Sequence, residues 1–227
     1  MNAVERGSLV RVENLTMRYT GAPKDSAPIL RINQWEVGRG EQVVLLGPSG
    51  SGKTTLLHLL SGIRAPTAGR IAVDDEDISA LPESRRDLWR SRTVGYVFQN
   101  YYLFSALTTL ENTEMPLMFA GVAAAERRAM ALQILERLDL SGKISSHPRQ
   151  LSAGEKQRAV IARALVNRPR LVLADEPSAH LDAQRRRMLF ELLRDLVDQN
   201  GSTLIVATHD PELANLFSKR AAMGQFR

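Results

Sequence analysis

The stretch Gly47-Pro48-Ser49-Gly50-Ser51-Gly52-Lys53-Thr54-Thr55 carries the spacing G-x-x-x-x-G-K-[ST] in full. Its residue types suit one task. Gly47, Gly50 and Gly52 let the backbone bend until successive N–H groups point inward at phosphate oxygens. A helix beginning there adds its positive N-terminal end. Lys53 brings a compact charge to the β- and γ-phosphates, and Thr54 offers a hydroxyl to Mg²⁺. A glycine-rich strand–helix turn can exist without a ligand. The buried strand ahead, the helix behind and the Lys-Thr pair together point instead to a nucleoside triphosphate.

Two further strand ends supply an acid and a base. "LVLADEP" puts Asp175 and Glu176 where an apolar strand stops. Asp175 is suited to hold Mg²⁺ through water, and Glu176, one residue on, to orient or deprotonate an attacking water. By itself the same text reads as a helix cap ahead of Pro177 at the first helical position; beside a complete phosphate loop the catalytic reading is preferred. His209 ends "TLIVATH" and is expected to contact the γ-phosphate, while Asp210 and Pro211 read as the cap and first position of the next helix. His58, on the helix after the phosphate loop, is given no role.

These groups need a scaffold that brings strand ends together. "EQVVLLG", "RLVLADE" and "TLIVATH" are short continuous apolar runs, the pattern of strands buried on both faces. They alternate with helical text, "KTTLLHLLSGI" and "DAQRRRMLFELLRDLVDQNG", the second ending at Gly201. The alternation predicts an α/β fold whose mainly parallel sheet is covered by helices, with ligands at the carboxyl ends of the strands. Ahead of it, "LVRVENLTMRYT", "ILRINQWEV" and "GRIAVDDEDI" alternate as strands broken by Gly, Pro and Asp. "TVGYVFQ" is one more strand, and from Tyr101 to about Val166 the chain is expected to be mostly helical.

The 227 residues allow one or two domains, and 44% hydrophobic with 24% charged residues is ordinary for a globular protein. No apolar run reaches the roughly eighteen residues that span a bilayer. The opening "MNAVERGSLVRVE" has no apolar h-region, so no secretory signal is expected. The absence of cysteine suits a cytosolic protein. The net charge of +5 is spread over short clusters such as Arg185-Arg186-Arg187. No aromatic residues interleave with them as single-strand binders require, so nucleic acid is not an expected partner.

"LSAGEKQRAVIARAL" opens a helix with the capping box Ser152-x-x-Glu155. The box does not account for Gly154 beside the serine. A serine hydroxyl and N–H groups at a helix start also make an anion site, here with no lysine in it.

The order phosphate loop, strand ending at Gln99, "LSAGEKQ", "LVLADEP", "SAHLD" and strand-end His209 resembles the ATP-binding subunit of ABC transporters over nearly the whole chain. The resemblance implies a single ABC ATPase domain over 1–227. Residues 1–99 and 167–227 would form the nucleotide-binding core, with an N-terminal antiparallel β subdomain, and about 100–166 an inserted helical subdomain. In that family two ATPase domains pair head to tail. The lysine-free turn of one closes over the γ-phosphate held by the other's phosphate loop. The resemblance therefore implies ATP and Mg²⁺ as ligands. It further implies that Tyr19 stacks on adenine, that Gly47, Pro48, Ser49, Gly50, Ser51, Gly52, Lys53, Thr54 and Thr55 hold the phosphates, and that Thr54, Gln99 and Asp175 attend the metal. Ser152, Gly154 and Glu155 would act across a homodimer, Asp182 would join its two sites, and Glu176, His209 and Gln99 would be catalytic.

"YVFQNYYLFSALTTLENTEMPLMFAG" looks like the branch that includes lipoprotein-releasing and macrolide-efflux ATPases. The resemblance implies an integral membrane permease docked on Gln99 to Phe104, and a peripheral position at the cytoplasmic face of the cell membrane. Departures are Ala153 in place of a glycine, Glu155 where glutamine is commonest, His180 in "SAHLD", and "VDDED" without its customary glycine. Other readings stay open: a soluble ABC-type ATPase acting on DNA or ribosomes, a P-loop kinase, or a non-transporting coupler that controls an extracytoplasmic hydrolase.

Overall fold

The computed structural model describes residues 7–19, 21, 27–178 and 182–226. Most of the opening stretch, Thr20 and His180 lie outside the described residues. The chain divides into two compact units, one running to Asp87 and resuming at Thr203, the other from Leu88 to Ser202.

In chain order the first elements are β1 (Ser8–Met17), β2 (Leu30–Gly38), β3 (Gln42–Leu46), α1 (Lys53–Leu60), β4 (Ala68–Val73) and β5 (Glu76–Asp77). Next come α2 (Glu83–Thr93), β6 (Val94–Val97), α3 (Thr109–Phe119), α4 (Ala124–Arg137), α5 (Ala153–Leu165), β7 (Leu171–Asp175) and α6 (Ala183–Gln199). The last are β8 (Thr203–Thr208), α7 (Pro211–Ala214) and β9 (Lys219–Ala222).

In the first unit, β2, β1, β4 and β5 form an antiparallel sheet in that order. β1 buries Leu9, Val10, Val12, Leu15 and Met17, the period-2 alternation of a half-covered strand with a break at the Glu13-Asn14 pair. The turn from β4 to β5 consists of Asp74 and Asp75, with φ of 55° and 65°. A two-residue hairpin turn with both central φ positive favours glycine or asparagine; here aspartate takes the place of glycine. Arg39 pairs with both carboxylates, at 3.0 Å for Asp75, which is how the missing glycine is accommodated.

The same unit holds three parallel strands, β3 flanked by β8 and β9, with Leu46 opposite Thr208. All six residues of β8 and the central three of β3 are buried, as expected for strands covered on both faces. α1 buries Leu56, Leu57, Leu59 and Leu60.

In the second unit β6 runs parallel to β7, with Val97 opposite Ala174. Gly95 is required where they meet the helices: a Cβ there would lie 2.1 Å from the Ala164 carbonyl oxygen. α3, α4 and α5 pack on one another. The stretch expected to turn helical from Tyr101 stays irregular until Thr108 caps α3. The buried Asn112 side chain explains this, accepting from the Phe104 N–H at 2.8 Å and donating to the Phe104 and Thr108 carbonyls at 3.1 and 2.9 Å. Those bonds compete with helical ones and hold the loop open.

Candidate active site

The phosphate loop leaves β3 beside the end of β8. The Gly47 N–H bonds the Thr208 carbonyl at 3.4 Å, so the loop and His209 terminate neighbouring strands. Gly50 and Gly52 adopt φ of 75° and 97°, conformations that side-chain-bearing residues avoid. α1 then starts on Gly52 with no capping side chain and no acidic residue in its first turn. Its first N–H groups are therefore left without a capping side chain among the described residues. Ser51 is buried, and its hydroxyl has no hydrogen-bond partner among the described residues. Lys53, also buried, arches back over the loop and donates to the Gly47 and Pro48 carbonyls at 2.7 and 3.2 Å. This collection of donors fits a phosphate chain.

Thr54 is exposed and Thr55 buried. The Thr55 hydroxyl bonds the Tyr19 hydroxyl at 2.8 Å. Tyr19 is 44% exposed, and the Arg64 guanidinium lies 5.1 Å from its ring centroid. The tyrosine thus offers an anchored, cation-backed ring at the edge of the loop.

In the second unit Gln99 follows the end of β6 and Asp175 ends β7, on adjacent parallel strands. Asp175 is buried. Burial and the Asp175 charge together raise the Tyr96 phenol above its ordinary value. Glu176 sits at φ 44°, a left-handed conformation unusual for glutamate and a form of strain that gathers at functional sites. No helix starts at Pro177; Pro177 and Ser178 form a turn, so the cap reading of Asp175-Glu176 falls away. Asp182 instead caps α6, accepting from the Arg185 N–H at 2.9 Å.

The start of α5 has both bonds of the capping box. The Glu155 carboxylate accepts from the Ser152 N–H at 2.7 Å, and the Ser152 hydroxyl oxygen accepts from the Glu155 N–H at 3.3 Å. The Ser152 N–H, and then the Ser152 side chain, lower the Glu155 pKa. Within the isolated chain the hydroxyl proton is therefore shared with the Glu155 carboxylate, and an anion at the helix start would compete for it. A Cβ on Gly154 would meet nothing within 4 Å. Ser152, Ala153, Gly154 and Asp182 share the wall of a recess of about 910 Å³. Among the described residues, nothing in the packing demands the glycine.

Sequence reading missed two residues of this region. Asn112 shapes the loop that carries Phe104, and Arg163, within α5, donates to the Tyr101 and Tyr102 carbonyls at 2.9 and 2.5 Å. Neither stands in a motif whose spacing signals such a bond.

A phosphate loop, an acidic strand end and a strand-end histidine define the class as P-loop nucleoside triphosphatase. Residues 30–179 match the family described as ABC transporter. An uncharacterized ABC transporter ATP-binding protein of Thermotoga maritima is 44% identical over 186 residues, 82% of this chain and 79% of its own length. A lipoprotein-releasing system ATP-binding protein, LolD, of Bacteroides thetaiotaomicron is 37% identical over 215 residues, covering 95% and 96%. The solved dimer of a bacterial ABC transporter cassette superposes with a TM-score of 0.85 at 33% identity over 96% of each chain. A dimeric post-hydrolysis cassette bound to ADP and phosphate gives 0.84 at 34% identity, covering 94% of this chain and 93% of that one. The chain belongs to the ABC transporter family as an ATP-binding subunit, an α/β P-loop ATPase with an N-terminal antiparallel sheet.

Proposed function

We propose that two copies of this chain sandwich two ATP molecules and use their hydrolysis to drive a separate membrane permease of lipoprotein-release or efflux type. Tyr19 stacks on adenine. The loop from Gly47 to Thr55 wraps the phosphates, with Lys53 and the first N–H groups of α1 drawing charge from the β- and γ-phosphates. Thr54, Asp175 and Gln99 supply a hydroxyl, one carboxylate and an amide. That oxygen-donor set suits Mg²⁺, which keeps waters and phosphate oxygens rather than a full protein cage, and among the described residues no group of three or more His, Asp or Glu forms such a cage. When bound, Mg²⁺ neutralises charge developing on the phosphates.

Glu176 accepts the proton of the attacking water as its oxygen bonds to the γ-phosphorus. The bond to the bridging oxygen breaks, and ADP and phosphate leave. His209 donates to the γ-phosphate. Ser152 and the N–H groups near Gly154 of the second copy close the opposite side, and Asp182 links the two sites.

The observation that carries this reading is the start of α5. A serine and the N–H groups of a capped helix start stand beside a glycine around which the described residues leave open space, on the wall of a recess of about 910 Å³. Both features are suited to a ligand brought by another molecule. Among the described residues no helix is long and apolar enough to cross a membrane. The permease docks at the exposed Tyr102 and Phe104, and the chain works peripherally at the cytoplasmic face of the cell membrane. The likeness to proteins named for lipoprotein release supports that cargo class.

The test is Glu176→Gln. With Mg-ATP it runs as a dimer in size-exclusion chromatography, and its turnover falls by about 10²-fold or more. A monomer that hydrolyses at the wild-type rate overturns the proposal.

A further inference from the structure

Arg163 is a half-buried cation with an unusual set of partners. It lies in the last turn of α5. Both of its hydrogen bonds go to main-chain carbonyls, to Tyr102 at 2.5 Å and Tyr101 at 2.9 Å, and no carboxylate among the described residues pairs with it. Burial lowers its pKa to about 10, the mark of a charge held out of water by its surroundings. A planar guanidinium holds two successive carbonyls in one rigid fork, whereas a lysine ammonium is a single flexible point charge that fixes their geometry less closely.

The loop it grips is strained and mechanically connected. Tyr102 sits at φ 43°, a conformation that costs an aromatic residue free energy unless neighbours hold it. Its ring, 63% exposed, stands edge-on to Phe98 with centroids 5.4 Å apart. Phe98 stacks on Tyr96 at 4.1 Å. Tyr96 lies on β6 beside β7 and feels the charge of Asp175. Gln99 lies between Phe98 and the gripped carbonyls, so its backbone is held on one side by the aromatic stack and on the other by Arg163.

We propose that Arg163 is the positioning residue of the Gln99 loop, its forked bonds to the Tyr101 and Tyr102 carbonyls fixing Gln99 for hydrolysis and tying the loop to the helix that begins at Ser152. This rests on the reading of Gln99 as a catalytic group. Movement of the exposed Tyr102–Phe104 surface is thereby transmitted directly to α5 through the Arg163 side chain, beside the indirect path through Asn112 and α3.

The experiment is a double-mutant cycle between Arg163→Lys and Gln99→Ala in the full chain, read by steady-state ATPase kinetics, melting temperature and hydrogen exchange of the peptide spanning 99–107. Arg163→Lys is expected to lower kcat about tenfold with KM for ATP changed less than about twofold, and to speed exchange in that peptide. In the Gln99→Ala background it should have little further effect on kcat. Additive losses, or a lowered melting temperature with wild-type kcat and exchange, overturn the proposal. If Gln99→Ala alone turns over at the wild-type rate, the catalytic reading of Gln99 is what fails. The grip is then judged on exchange, and unchanged exchange in Arg163→Lys overturns it.

Discussion

The Tyr19 hydroxyl bonds the Thr55 hydroxyl at 2.8 Å, fastening the ring assigned to adenine to the helix that carries Lys53. The contact separates two contributions of one side chain, because the ring can be kept while the hydroxyl is removed. Tyr19→Ala is expected to weaken ATP binding about tenfold or more, the scale of one lost base–aromatic stack. Tyr19→Phe keeps the ring and should stay within about threefold, losing only one modest hydrogen bond. Equilibrium binding of a fluorescent ATP analogue checks both; equal losses in the two variants would argue against stacking.

Glu176 at φ 44° holds its carboxylate at a cost in backbone strain. Glycine relieves that strain and alanine does not. Glu176→Gly should therefore melt above Glu176→Ala by about 2–4 °C, corresponding to about 1 kcal/mol, and neither variant is expected to hydrolyse ATP at an appreciable rate. Calorimetry of the two nucleotide-free variants decides it.

Gly95 and Gly154 make opposite predictions for the same substitution. A Cβ at Gly95 meets the Ala164 carbonyl oxygen at 2.1 Å and Pro169 at 2.8 Å, so Gly95→Ala should destabilise the fold by about 1–3 kcal/mol or more. A Cβ at Gly154 meets nothing within 4 Å. Gly154→Ala should melt no lower than wild type, since alanine favours a helix. It should nonetheless lose ATP-driven dimerisation and most turnover. Denaturant melts paired with chromatography separate the two effects.

The Glu155 carboxyl is held below its ordinary value of 4.5 by the N–H of Ser152, then by the Ser152 side chain, with Lys143 3.3 Å away adding to the effect. A carboxyl with a depressed folded pKa contributes stability above its unfolded pKa. That contribution is lost as pH falls through the lower, folded value. Melting temperature should therefore drop on acidification below about pH 4.5, and less steeply in Glu155→Gln, which keeps the reach of the capping side chain without the titration. Identical slopes for the two proteins would show that Glu155 does not contribute.

Much of this molecule is local enough to be written in the order of its residues. The phosphate loop, the capping box at Ser152, the cap at Asp210 and the buried strands β7 and β8 each depend on neighbours a few positions away, and spacing alone identifies them. Backbone conformation was less legible. Asp74, Asp75 and Glu176 take positive φ without being glycine, because ion pairs or surrounding structure outweigh the intrinsic preference. Partners distant in the chain were not legible at all. Tyr19 finds Thr55 across 36 residues and Arg163 finds Tyr102 across 61. A hydrogen bond of that reach exists only after helices and strands have packed, and no periodicity in the residues announces it. Composition and motif determined which chemistry this chain carries, whereas the packing of α5 against the loop after β6 decided which side chain holds that loop in place.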